Sequence, residues 1–128
     1  MAWIIPLAGI LGATGVAIGA VGTHALHLGA RAMMQFDIAL DYQIWHTLAL
    51  LAVAQLIRFD PAIRAYKIAA ILFAIGVVCF SGSLYGVAIS GIQGITNFTP
   101  IGGSMLILGW ILLVIGGVQT ALSFPKRR

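Results

Sequence analysis

The sequence predicts an all-α integral membrane protein. It reads as a single membrane domain over residues 1–128, a four-helix bundle with an interfacial amphipathic segment between spans 1 and 2 and with the N and C termini cytoplasmic. Three observations predict it. Of the 128 residues, 61% are hydrophobic and 8% are charged, where a soluble domain carries about 25% charge; the mean hydropathy is +1.07. No Asp, Glu, Lys or Arg occurs in residues 1–30 or 68–125, and uncharged apolar runs of that length belong in lipid. Glycines recur at helical spacing inside those runs, which lets membrane helices approach closely. At 1.5 Å per residue, roughly 20 residues cross a hydrocarbon layer about 30 Å thick, so the chain holds four spans comfortably.

The first span runs from about residue 2 to 25 and lacks the basic leader and short apolar core of a cleavable signal peptide. Within it Gly12, Gly15, Gly19 and Gly22 draw one seam down a helix, a surface for tight packing. Residues 28–41 mix Arg31, Gln35, Asp37 and Asp41 with Ala, Met, Phe and Ile, a composition for the interface or for the flank of the bundle. The second span, 42–57, follows directly and can continue the same helix, because no Pro or Gly interrupts residues 30–60. Asp60-Pro61 stops it, since proline disfavours the α region in the residue before it.

The third span is expected over 67–90, with Gly82, Gly86 and Ser90 at i, i+4 and i+8. A turn-rich stretch with Gly91, Gly94, Asn97 and Pro100 leads to the fourth, 104–124, in and before which Gly102, Gly109 and Gly116 stand at heptad spacing. Arg58, Arg64, Lys67, Lys126, Arg127 and Arg128 then fall on one side and Arg31 on the other, which sets the termini in the cytoplasm by the positive-inside rule. The net charge of +4 therefore reads as topology rather than as a nucleic-acid footprint. A lone Cys79 inside an apolar run permits no intrachain disulfide and is expected as a buried thiol.

Polar groups inside the spans carry the functional information, because an unsatisfied one in hydrocarbon costs several kcal/mol. His24 and His27 end the first span, Tyr42, Gln43 and His46 open the second, and Ser81, Ser83 and Tyr85 occupy the outer half of the third. Tyr42 and His46 share a helix face, as do Ser81 and Tyr85, so His24, Tyr42, Gln43, His46, Ser81, Ser83 and Tyr85 are expected to form one polar layer on the non-cytoplasmic side. Gln55 and Gln119 read as interhelical ties near the other end.

The H-x-x-H of His24 and His27, and the pair His24 with His46, are weak haem or metal patterns, because no Cys, Asp or Glu in a span completes a ligand set. No metal and no cofactor is expected. Motifs for zinc hydrolysis, a nucleophile elbow or phosphate binding are missing, and Asp37 with Asp41 reads as a solvated face, so catalysis is not expected. Arg31 and these aspartates also offer an outer-surface docking patch. Asn97-Phe98-Thr99 matches a glycosylation sequon, meaningful only in a eukaryotic lumen.

Five segments taken together carry a resemblance: Gly19 to Leu26 (GAVGTHAL), Tyr42 to Leu51 (YQIWHTLALL), Phe80 to Tyr85 (FSGSLY), Thr99 to Gly103 (TPIGG) and Gly109-Trp110. In their order and spacing they resemble the YgdD-like family of small bacterial inner-membrane proteins, a family of unknown function with eukaryotic relatives among small transmembrane proteins, over about residues 12–112. The resemblance implies a multi-span helical protein of the cell inner membrane and supplies no catalytic residues. It places His24, Tyr42, Gln43, His46, Ser81, Ser83 and Tyr85 among the family's motif residues.

Two functions fit. In the first, a homo-oligomer binds or passes a small polar solute or proton at the polar layer, the conduit lying between subunits because tightly packed helices leave little room within one. In the second, a structural or accessory protein sits in the lipid bilayer, alone or beside a larger membrane complex, and the same residues are only ties between helices.

Overall fold

The computed structural model describes residues 1–123, which form helices joined by turns and short irregular links, with no strand among them. Four helices follow in order: α1 (Ile4–His24), α2 (Ala30–Phe59), α3 (Arg64–Ser90) and α4 (Phe98–Ser123), the last preceded by a 3₁₀ turn over Gln93–Asn97. Lys126, Arg127, Arg128 and the end of the expected fourth span at residue 124 lie outside the described residues.

The helix runs through Tyr42 without a break, as the lack of Pro and Gly over residues 30–60 allows. From Ala30 onward residues 30–41 form the first two-fifths of α2, with Phe36 and Ala39 buried while Arg31, Asp37 and Asp41 face outward. With neither Pro nor Gly to break it, the helix runs its full 30 residues, about 45 Å at the standard rise. Asp60 and Pro61 end it as expected, and the Asp60 carboxylate accepts the Ala62 N–H at 3.3 Å to shape the turn. Three helical stretches, Ile4–Gly22, Arg64–Ser90 and Gln93–Ser123, are long and apolar enough to cross a membrane. The polar residues Tyr42, Gln43, His46 and Gln55 keep α2 below that mark.

Each helix packs mainly on its chain neighbours: α1 on α2, α2 on α3 and α3 on α4. Glycines set the first and last of these contacts. Along α1, Gly12, Gly15, Gly19 and Gly22 meet Thr47, Ile44, Leu40 and Phe36 of α2 in turn. Along α4, Gly102 lies against the backbone of Phe80 and of Gly76, Gly109 under the ring of Phe73 and Gly116 under the ring of Tyr66. The three aromatics of α3 thus recur every seventh residue against glycines of α4 with the same repeat. Gly76, which spacing did not single out, receives Leu106. Gly86 meets Ile95 of the 3₁₀ turn, whereas Gly82 belongs to no helix contact, since a Cβ there would find nothing within 4 Å.

The core is the α2–α3 pair with its flanks, including the fully buried Leu50, Val53, Phe73 and Val77. At the end of α3, Gly91 adopts φ 71° and donates its N–H to the Val87 carbonyl. Side chains other than glycine's crowd the carbonyl in that left-handed conformation. Gly91→Ala is expected to lower the unfolding free energy in detergent by about 1 kcal/mol, while Gly94→Ala, in open space and at an ordinary φ, stays near the parent in the same thermal melt.

Candidate functional site

Gln43 and His46 of α2 stand three residues apart, about 60° around the helix, yet their side chains reach different neighbours. Gln43 turns toward α1 and α3. It is 4% exposed, and its Nε2 donates to the Leu11 carbonyl at 2.7 Å and to Thr14 Oγ1 at 3.1 Å. Its Oε1 accepts the Tyr85 hydroxyl at 2.9 Å. One amide thereby joins three helices, and the Tyr85 ring is held edge-on to Phe36 at 5.2 Å between centroids.

His46 turns toward α3 and α4 and is 3% exposed. Trp110 donates its indole N–H to His46 Nε2 at 3.2 Å, while Nδ1 lies 2.8 Å from the Tyr42 carbonyl. An Nε2 that accepts leaves the proton on Nδ1, so the pattern assigns a neutral ring donating to Tyr42. The imidazole packs beside Phe73 and Tyr42, with centroids 5.4 and 5.7 Å away, and Tyr42 in turn stacks on Phe80 at 4.4 Å. Tyr42, Trp45, His46, Phe80, Leu106 and Trp110 wall a cleft of about 420 Å³ between α2 and α4, with Gly103 and Ile107 at its side.

A third node joins α3 to the start of α4. Ser83 donates to the Phe80 carbonyl at 2.9 Å and so accepts from Thr99 at 2.6 Å. Sequence reasoning missed the fourth, Tyr66 with Thr120 at 2.8 Å, although an aromatic hydroxyl in an apolar span needs a partner and was a usable signal. Gln55 and Gln119, read as ties at that end, are exposed.

The expected single layer is therefore several nodes at different depths. Thr14 and Trp110 sit at mid-length of α1 and α4, while Ser83 and Thr99 sit near helix ends. His24 is apart from all of them and exposed at the end of α1. Gly12 packs at the level of Thr47, which leaves His24 about 18 Å along the helix axis from His46, too far to share an iron. Among the described residues no group of three His, Cys, Asp or Glu could hold a metal ion. Ser81 is buried at 3% exposure, and its hydroxyl has no hydrogen-bond partner. Cys79 is half-buried. Arg31 is exposed at the head of α2, beside a groove shared with Gly91 and Gln93.

Long apolar helices, glycine-mediated contacts and buried polar ties define a helical protein of the inner membrane, multi-pass in its architecture. The family profile described as "Protein of unknown function (DUF423)" matches residues 18–103. The chain belongs to this family. It is similar to the UPF0382 inner membrane protein YgdD of Escherichia coli K12, 36% identical over 119 residues that cover 91% of this chain and 90% of that one. A UPF0382 membrane protein of Haemophilus influenzae is 40% identical over 110 residues, covering 82% and 85%. Another of Staphylococcus saprophyticus is 42% identical over 103 residues, covering 79% and 84%. No solved structure matches.

Proposed function

We propose that the protein is a non-enzymatic, four-span membrane protein with cytoplasmic termini that takes a flat apolar, ring-bearing molecule sideways from the bilayer, rather than passing a solute across it. The α2–α4 cleft carries this reading: five aromatic rings surround it, and the one imidazole at its wall already has both nitrogens in hydrogen bonds. Aromatic faces favour edge or offset contact with another ring, and a mostly apolar cavity with few polar atoms is the ordinary form of a small-molecule site.

Treating α2 as the second span is supported by its length and by its antiparallel register with α1, whose Gly22 and Gly12 meet Phe36 and Thr47. Arg58, Arg64 and Lys67 at the α2–α3 turn favour a cytoplasmic location for that end. Gln43, Ser83 and Tyr66 are committed to other protein groups, and the cleft lies within one protomer, so a homo-oligomeric conduit is not needed. The ties at Gln43, Tyr85, Ser83 and Tyr66 are structural in this reading.

The test uses 2-bromonaphthalene, a flat heavy-atom quencher, on a Trp3→Phe protein in nanodiscs. Emission from Trp45 and Trp110 is expected to fall along a saturable curve, and Gly103→Leu, which fills the side of the cleft, is expected to leave only the linear quenching of a membrane-dissolved probe. Linear quenching in the parent overturns the proposal. So does a proton or solute flux in proteoliposomes that depends on His46.

A further inference from the structure

A second cleft, on the other side of α2, opens between α1 and α3. Its volume is about 290 Å³, and Leu11, Ile18, Val77 and Val78 give it apolar walls around Thr14, Gln43, Ser81 and Tyr85. Gly82 stands in its lining with open space where a side chain would be. The sharpest observation is Ser81. Other hydroxyls in these helices, those of Thr14, Thr47, Ser83, Ser90, Ser104 and Ser123, bond a carbonyl of the preceding turn. That of Ser81 bonds nothing although it is buried, an arrangement costing roughly 1–3 kcal/mol unless something supplies a partner.

The proton inventory narrows what that partner is. Both amide protons of Gln43 go to Leu11 and Thr14, that of Thr14 goes to the Ile10 carbonyl, and that of Tyr85 goes to Gln43. Ser81 therefore holds the one polar side-chain proton in the lining not already spent, whereas Gln43 Oε1 and the Tyr85 oxygen keep unused lone pairs. An anion would face oxygens. A carbonyl would accept from Ser81 but offer nothing to the other two. A hydroxyl both accepts from Ser81 and donates to Gln43 or Tyr85.

We propose that this cleft binds the hydroxyl end of a lipid-phase alcohol, its hydrocarbon body lying along Leu11, Ile18, Val77 and Val78 and leaving past Gly82. The site is distinct from the α2–α4 cleft and stands whether or not that one binds a ring.

The probe is a diazirine-bearing hexadecanol, photolysed with the parent protein in nanodiscs. Saturable labelling of α1 and of the Val77–Tyr85 stretch is expected, competed by plain hexadecanol and at least about fivefold less well by hexadecyl methyl ether, which cannot donate. Ser81→Ala deletes a hydroxyl that makes no protein bond, so it is expected to melt at or above the parent temperature and to lose labelling at least about fivefold. Gly82→Ile, which blocks the exit, is expected to lose it as well. Equal labelling of the Ser81→Ala protein, equal competition by the ether, or only unsaturable labelling, as when water alone fills the cleft, overturns the proposal.

Discussion

Replacing Gly102 by alanine is expected to destabilise the protein by about 3 kcal/mol, the largest effect of any single methyl group added to this fold. The added Cβ would lie 2.5 Å from the Phe80 nitrogen and 2.8 Å from the Gly76 carbonyl oxygen. Both are backbone atoms of α3, so no rotamer change relieves the overlap and the two helices must separate. Separation loosens the heptad ladder beyond the mutated site, because Phe73 on Gly109 and Tyr66 on Gly116 share its register. Gly82→Ala meets nothing within 4 Å and is expected to fall within about 1 kcal/mol of the parent, the range of helix propensity between the two residues. Thermal or SDS unfolding in detergent micelles measures both.

Gln43→Met comes second. Methionine keeps the length of the side chain and removes all three of its hydrogen bonds, to Leu11, Thr14 and Tyr85. Bonds between membrane helices are each worth about 0.6 kcal/mol on average and up to about 1.7, and Tyr85 is left with a buried hydroxyl to satisfy. A loss of roughly 2–3 kcal/mol is expected. It falls unevenly: α1 packs mainly on α2, through the glycine seam and this amide, so hydrogen exchange rises in α1 more than in α4.

The glycine seams of α1 and α4 were legible because a repeat of three, four or seven residues can only describe one helix face. What they meet was not. Tyr66, Phe73 and Phe80 repeat every seventh residue too, but aromatic residues are spread throughout these spans, and nothing local pairs one repeat with another. The same limit explains Gly82, whose small-residue spacing with Gly86 names a face without saying whether a helix covers it. The i, i+4 pairing of Tyr42 with His46 places both on one face, and the structure stacks their rings there. Gln43 is one residue further along, about 100° around from Tyr42, and lines the other cleft.

Depth was the least legible property. Starting the second span at residue 42 puts Tyr42, Gln43 and His46 at the opening of that span. Charge at Asp37 and Asp41 argued for that start, yet Phe36 and Ala39 on the other face bury themselves and carry the helix back to Ala30. With α2 extended, Gln43 and His46 meet Thr14 and Trp110 at mid-length of α1 and α4. Trp110, exposed along much of its surface, gave no sign in sequence that its N–H closes on an imidazole.

Whether the buried polar groups hold helices together is tested most directly by a double-mutant cycle on Gln43→Met and Tyr85→Phe, followed by unfolding in micelles. The two substitutions remove opposite ends of one bond, so together they are expected to cost about 1 kcal/mol less than the sum of their separate losses. Losses that simply add would contradict the tie between α2 and α3 on which the architecture rests.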